Sequence, residues 1–368
     1  MLRRPSLPEE GVGELGEQAD ALLERLLGSL IGTAELMNVY LGDRLGLYAP
    51  LTQGWRTSSE LAASAGIAER YAREWLEEQA VAGFIDVEDP AVSATERRYR
   101  LSDEHAQVLL DRDAPTYLAA YARMFIAAAQ QMPALMEAYR TGGGVGWAQY
   151  GPDMSEGQEF GNRPTFINAL GEWFASVPDL HERLSAGARM ADVGSGGGWT
   201  SIALAKAYPT LSVDGFDLDV PAVERARANA EAEGVGDRVR FHAMSPADAD
   251  HGEGYDLVTA FECIHDMPQP VPVLRAMREM AGADGTVIVM DENVQPGFVA
   301  PGDEIERLMY GFSTLVCLPD GMSHEGSVGT GTVMRPSTFE GYAKEAGFSE
   351  VEILPIDGGF WRFYRLSA

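Results

Sequence analysis

The sequence predicts an α/β protein in which a small α-helical domain precedes a seven-stranded, mostly parallel sheet flanked by helices. Three observations carry this reading. The stretch Ala191-Asp192-Val193-Gly194-Ser195-Gly196-Gly197-Gly198-Trp199-Thr200 reads as strand, glycine turn and helix start. Strand-like and helix-like patterns then alternate to the C-terminus, which argues for parallel βα units. The first third instead shows helical spacing followed by two short alternating runs. At 368 residues the chain has room for two domains. We expect a helical domain over 15–110, a helical linker and lid over 111–180, and the sheet domain over 181–368.

Residues 1–14 read as a loose tail of Pro, Gly and Glu. From Gln18 to Leu41, Leu22, Leu23, Leu26, Leu27, Leu30 and Ile31 recur at helical spacing. Thr57-Ser58-Ser59-Glu60 offers capping hydroxyls to a second helix, and Gly66-Ile67 turns the chain. A third helix from Arg70 carries Tyr71, Trp75, Leu76 and Ala80 and closes at Gly83. Phe84–Val87 and Arg98–Leu101 read as two short strands. Helix, turn, helix and a two-stranded wing make a winged-helix domain. Its third helix exposes Glu69, Glu74, Glu77 and Glu78 against only Arg70 and Arg73. That surface repels phosphate, which supplies most nucleic-acid affinity. We therefore expect a dimerisation module whose long first helix packs on a second copy, and no nucleic-acid partner.

Residues 113–139 are helical and rich in Ala and Met, and the run Thr141 to Gly146 breaks the pattern as a hinge between the domains. The following Trp147-Ala148-Gln149-Tyr150-Gly151-Pro152 suits either a lid over a ligand or a packed linker.

At the glycine turn the chain can adopt φ > 0 and bring bare backbone to a ligand. A phosphate-binding P-loop would end in Gly-Lys-Ser/Thr, and no lysine is present. A dinucleotide fingerprint would be Gly-x-Gly-x-x-Gly; here Trp199 fills the final position. The second strand, Val213–Phe216, ends in Asp217, placed to accept both ribose hydroxyls of a nucleoside, while Asp219 caps the helix from Pro221. The third strand is Val239–His242 and the fourth Tyr255–Ala260, running into Phe261-Glu262-Cys263-Ile264-His265-Asp266-Met267. Ligands of open α/β sheets sit beyond the carboxyl ends of the strands. His265 stands just past such an end, and with an ordinary pKa of about 6.5 it suits proton abstraction from a hydroxyl or, alternatively, a structural hydrogen bond. Asp266-x-x-Gln269 resembles a capping box. Gly285–Met290 is the fifth strand, ending at Asp291-Glu292. A helix over 303–317 with Ile305, Leu308, Met309, Phe312 and Leu315 roofs a substrate pocket or is plain core. A capped helix spans 337–347, and Val351–Leu354 and Phe360–Tyr364 form a final hairpin through Asp357-Gly358-Gly359.

Composition narrows the partners. The formal net charge of −28 disfavours polyanions. No run has the apolar length of a membrane span, and Met1-Leu2-Arg3-Arg4-Pro5 lacks the apolar stretch of a signal peptide. Cys263 and Cys317 give no disulfide framework and read as small buried residues in a reducing cytoplasm.

Taken together, these stretches resemble an actinobacterial-type class I S-adenosylmethionine (SAM) dependent methyltransferase with an N-terminal winged-helix domain. The resemblance rests on Asp192 to Gly198, on Tyr150-Gly151-Pro152-Asp153-Met154 and on Gly215-Phe216-Asp217-Leu218-Asp219. It extends to Glu262 through Met267 and to Gly329 through Pro336. It covers nearly everything from residue 20 onward. It implies a Rossmann-like domain that binds SAM and releases S-adenosylhomocysteine, and a homodimer formed through the winged helix. It implies cofactor contacts from Asp192, Gly194, Ser195, Gly196 and Gly198, and from Asp217 and Leu218 at the ribose. Met244 is expected on the adenine face. Where the family places an adenine-binding Asp, this chain has Ser245, with Asp248 nearby. Phe261 and Glu262 would flank the methionine part. The His265-Asp266 pair resembles that of small-molecule O-methyltransferases, in which the His is the general base. Tyr150, Trp199, Met309 and Phe312 are expected to line the acceptor site, and no metal is expected. A carbon or nitrogen acceptor held by positioning alone, a winged-helix regulator sensing a nucleoside, an NAD(P)-linked enzyme, and a protein using SAM only structurally are the competing readings.

Overall fold

The structure is a computed structural model that describes residues 16–249, 252 and 254–367. The tail expected over 1–14 lies outside the described residues. The chain divides into two compact units, Met1–Leu110 and Asp111–Ala368.

In the first unit the long helix is Glu17–Arg44. Near its C-terminal end Gly42 admits the rings of Tyr48 and Trp75, which a Cβ there would meet at 2.5 and 2.7 Å. Its N-terminal half leaves Leu22, Leu23, Leu26, Leu27, Leu30 and Ile31 exposed. The second helix, Ser58–Ala65, starts at a complete Thr57–Glu60 capping box and stops at Gly66 with φ +68°. The third, Glu69–Val81, buries Trp75 and Leu76. The wing is shorter than its pattern suggests: only β1 (Asp86–Val87) and β2 (Tyr99–Arg100) pair, antiparallel.

The second unit opens with two helices, Ala120–Gln130 and Met132–Thr141, where one segment was expected. The glycine run after them is a packed turn inside this unit, not the hinge between domains. A Cβ on Gly144 would come within 2.2 Å of Pro319 O, and Val145 N–H donates to that same carbonyl at 2.9 Å. Helix Pro152–Thr165 follows.

The sheet contains β3 (Arg189–Val193), β4 (Ser212–Asp217), β5 (Val239–Ala243), β6 (Leu257–Phe261), β7 (Thr286–Glu292), β8 (Glu350–Ile353) and β9 (Trp361–Ser367). Their spatial order is β5-β4-β3-β6-β7-β9-β8. Strands β3 to β7 run parallel, and β9 is antiparallel to both β7 and β8. The order reverses between β3 and β6, so a crevice opens beyond their carboxyl ends. Helices Trp199–Ala207, Val220–Ala232 and Pro270–Ala281 connect the parallel strands. The near-continuous apolar β6 and β7 are buried on both faces, as parallel strands must be.

Several expected caps differ. Asp219 occupies the N-cap position of its helix without a side-chain cap bond; its own N–H is drawn to Asp217 instead. Asp266 is not a cap, because helix Pro270–Ala281 begins one turn later with Gln269 in that position. The last capped helix is Pro336–Glu345, and its N-cap, Arg335, makes no side-chain cap bond. The helix expected over 303–317 is Glu304–Phe312, capped by Asp303 and continued by a π-helical turn, Ser313–Cys317. Among the described residues no helix is long and apolar enough to cross a membrane.

Candidate active site

The carboxyl ends of the five parallel strands, β3 to β7, supply the candidate site. Beyond β3 the glycine loop holds Gly194, Gly196 and Gly198 at φ +71°, +49° and +81°. Each does a different job. Gly194 lies against Cys263 Sγ, 2.8 Å from where a Cβ would stand, and Gly198 lies against the Phe241 ring at 2.5 Å. Gly196 is free of close neighbours, with nothing within 4 Å of where a Cβ would stand.

Asp192 sits beneath the loop, fully buried. Its carboxylate accepts hydroxyl hydrogen bonds from Thr200, Ser201 and Thr259. Burial pushes its pKa up, and these three bonds oppose the shift. Both oxygens are thus engaged, and Asp192 acts on the loop and on the first turn of helix Trp199–Ala207. Ser195 is buried, and its Oγ has no hydrogen-bond partner.

At the end of β4, Asp217 accepts from Gly196 N–H at 2.8 Å through Oδ2 and from Asp219 N–H at 2.8 Å through Oδ1. Its neighbour Leu218 is 75 % exposed, an apolar side chain left on the rim. After β5, Met244 packs partly against the core. Ser245 caps a short turn, its Oγ accepting from Ala247 N–H at 3.3 Å, and Asp248 lies exposed in that turn.

After β6 the site becomes acidic. The Phe261 ring packs in the core against Phe174 and Phe363. Glu262 has φ +52°, the single non-glycine residue in that region among those described. Its Oε2 accepts from Asn162 Nδ2 and, at 3.4 Å, from Gln158 Nε2. Burial pushes its pKa to about 8.

His265 is buried with carboxylates at both ring nitrogens. Nδ1 donates to Asp291 Oδ1 at 3.0 Å and lies 3.3 Å from Glu292 Oε2. Nε2 lies 3.3 Å from Asp266 Oδ1. Burial disfavours the imidazolium, but Asp266, Asp291 and Glu292 outweigh it and hold the His265 pKa well above its ordinary value. This corrects the expectation of an ordinary histidine pKa. The partners divide: burial raises Asp266 and Glu292, whereas the His265 charge overcomes burial at Asp291 and keeps it low. The donor sets His265/Asp291/Glu292 and His265/Asp266/Cys317 each bring their ligand atoms within 4.8 Å of one another. In the first set Nδ1 is already occupied by the direct bond to Asp291.

An apolar wall stands in the same unit. Met154, Tyr150, Met309, Phe312 and Val316 form one buried cluster, with Tyr121 and Phe125 against it. The Tyr121 pKa is raised by burial and by the charges of Glu262 and Glu292. Tyr150 donates its hydroxyl to Leu315 O at 2.7 Å. Trp199, expected at the acceptor, belongs to the sheet core; its Nε1 donates to Glu159 at 3.1 Å and Arg163 covers its ring at 3.8 Å. Glu159, Asn162 and Tyr121 escaped the sequence reading because the helices carrying them show only ordinary polar or alanine-rich periodicity.

The chain is similar to known proteins in both units. Residues 184–316 match the family described as a methyltransferase domain, and residues 33–111 match a Rv2258c-like winged HTH domain. It is 30 % identical over 179 residues to the ubiquinone biosynthesis O-methyltransferase of Nitrosospira multiformis, covering 48 % of this chain and 68 % of that protein. Against the enzyme of the same description from Actinobacillus pleuropneumoniae the identity is 30 %, but the chain spans only 44 % of that protein and the match covers 27 % of this chain. Among solved structures, the mitomycin 7-O-methyltransferase aligns with a TM-score of 0.71 at 21 % identity, covering 96 % of this chain and 99 % of that one. Human N-acetylserotonin methyltransferase, solved with SAM, aligns with a TM-score of 0.70 at 16 % identity, covering 97 % and 99 %. At such identities these two likenesses concern the fold.

Proposed function

Because this chain belongs to the SAM-dependent methyltransferases, we propose that it methylates a hydroxyl of a small-molecule acceptor, with His265 as the general base. The observation that carries the reading is the convergence of the glycine loop, Asp217 and His265 on one crevice at the switch point of the sheet. The crevice suits SAM. Gly196 leaves room for a ligand at the loop, Asp217 stands where ribose hydroxyls would replace the Gly196 and Asp219 N–H groups, and Leu218 offers an apolar rim for the adenine. Met244 and either Ser245 or Asp248 would complete the adenine side, and Glu262 would face the methionine end.

When bound, SAM supplies an electrophilic methyl group. The residues then have two tasks. Tyr121, Tyr150, Met154, Met309 and Phe312 hold an acceptor ring and exclude water, and positioning of this kind supplies several powers of ten in rate. His265 receives the hydroxyl proton at Nε2, the nitrogen not bonded to Asp291. Asp291 steadies the ring through Nδ1 and stabilises the imidazolium that results. This route uses no metal, and methyl transfer unaffected by a chelator is its corollary.

The winged-helix unit supports a homodimer and no nucleic-acid partner. The arginines of its third helix are paired within the unit, Arg70 with Glu74 and Arg73 with Glu69, which leaves little positive charge for phosphate. Its first helix exposes Leu30 at 69 % and a row of leucines beside it. The free thiols of Cys263 and Cys317 fit a reducing, cytoplasmic setting. Calorimetric titration tests the core of the proposal: SAM and S-adenosylhomocysteine bind in the micromolar range, at about −8 kcal/mol, and NAD does not. Heat with NAD and none with SAM overturns it.

A further inference from the structure

We propose that Glu159 is a positioning residue that holds the glycine loop in its ligand-receiving shape from behind, and that helix Pro152–Thr165 ties this loop to the acceptor wall. The inference rests on the reading of the crevice as a SAM site.

Glu159 is 8 % exposed, and its carboxylate accepts three side-chain hydrogen bonds. They come from Arg225 Nε at 2.9 Å, Asn229 Nδ2 at 2.9 Å and Trp199 Nε1 at 3.1 Å. Asn229 Nδ2 also donates to Gly197 O at 2.9 Å. A Cβ on Gly197 would stand 2.3 Å from Glu159 Cδ, so the carboxylate lies directly on the loop backbone. Gly197 therefore answers to Glu159, while Gly196 is free of close neighbours. Trp199 is the first residue of helix Trp199–Ala207, and a carboxylate beside that end is favoured by the helix dipole. Burying a carboxylate is costly unless it is paired and hydrogen-bonded. Here its bonds go to the helix after the loop and to helix Val220–Ala232, and Asn229 carries the contact on to the loop at Gly197 O.

The same helix reaches two other parts of the site. Gln158 and Asn162 hold Glu262, whose positive φ sets the chain direction after β6. Met154 stands in the apolar wall with Met309 and Phe312. One rigid element thus touches the loop after β3, the loop after β6 and the acceptor wall, and Glu159 is its grip on the first.

The test is calorimetric titration of SAM and S-adenosylhomocysteine into the full chain, the Glu159→Gln variant and the Asn229→Ala variant. Thermal unfolding and backbone hydrogen exchange are followed in parallel. Gln keeps the size but loses the charge and turns one of the two acceptor oxygens into a donor that faces Arg225 or Asn229 and Trp199. Both variants should bind SAM about 10- to 100-fold more weakly, the effect of losing hydrogen bonds to a charged group. Amides of residues 194–199 should exchange faster while those of β3, β4 and β6 keep their protection. A purely structural role would lower protection across the sheet along with the unfolding temperature. Wild-type SAM affinity in both variants, or loss of protection throughout the sheet, overturns the assignment. Failure of the unsubstituted chain to bind SAM overturns the cofactor reading, and this assignment with it.

Discussion

The backbone N–H of Gly196 donates to Asp217 Oδ2 at 2.8 Å, so the carboxylate that ends β4 is tied to the loop that ends β3. The bond joins two strands that pair in register, with Asp192 opposite Gly215 and Val193 opposite Phe216. Asp217 consequently shapes the loop, and the proposed reading assigns it the ribose hydroxyls as well. Removing it with Asp217→Ala should weaken SAM binding by about 2–4 kcal/mol, the worth of a pair of charge-assisted hydrogen bonds. Calorimetry decides this, and an affinity within twofold of the unsubstituted chain rejects the ribose role.

The loop glycines should respond differently to a methyl group. At Gly198 the backbone is left-handed and a Cβ would lie 2.5 Å from the Phe241 ring. Strain and overpacking add, and Gly198→Ala should cost about 2–5 kcal/mol of stability. At Gly196 the backbone is also left-handed, but nothing stands within 4 Å. Gly196→Ala should cost only about 1–2 kcal/mol and lose SAM affinity, since the methyl enters the ligand's space. Urea unfolding and SAM titration of the two variants separate these effects.

What could be read in advance follows from where the information lies. The glycine loop and Asp217 are each legible locally: the loop follows its strand directly and Asp217 ends the next one, so a few residues around each carry its signal. Glu159 and Asn162 stand in a polar helix whose letters suit a solvated surface, and only the fold turns that face onto two loops. The carboxylates around His265 are assembled from different places. Asp291 and Glu292 end β7 and read as a strand terminus, while Asp266 imitates a cap because a helix starts soon after it. The left-handed backbone at Glu262 leaves no mark on composition. Trp199 carries a related ambiguity: an aromatic beside a glycine loop suggests a ligand, yet it begins a helix whose every residue through Ala205 is buried.

The exposed leucines of helix Glu17–Arg44 invite a charge test. Leu26 and Leu30 lie one helical turn apart and are 54 % and 69 % exposed. If this face is shared by two copies, the Leu26→Glu, Leu30→Glu double variant should be monomeric at micromolar concentration while keeping its helical signal. Burying two carboxylates in an apolar interface is strongly unfavourable. Light scattering reads the mass directly. An unsubstituted chain that is already monomeric rejects the dimer.

The acid–base reading of His265 yields a pH dependence of definite sign. To accept a proton the imidazole must be neutral, yet Asp266, Asp291 and Glu292 stabilise its charged form against burial. The rate of methyl transfer should therefore rise with pH through an inflection above the ordinary histidine value of about 6.5. The same raised pKa gives stability that is complete below the unfolded value and is lost as pH climbs through the folded one. Asp266→Asn removes the carboxylate nearest Nε2, so the inflection should move towards acid. His265→Ala should lower turnover by about 10²–10⁴ without changing SAM affinity, the range for a positioned acid–base group. His265→Asn keeps a hydrogen-bonding group without a useful base and should be nearly as slow. An acceptor that reacts through carbon or nitrogen needs less proton abstraction and would show a milder loss. Single-turnover methyl transfer across pH, with the acceptor found by metabolite screening, reads all of these. Full activity in both His265 variants with an unshifted profile would remove proton transfer from the mechanism and leave positioning by the aromatic wall as its source.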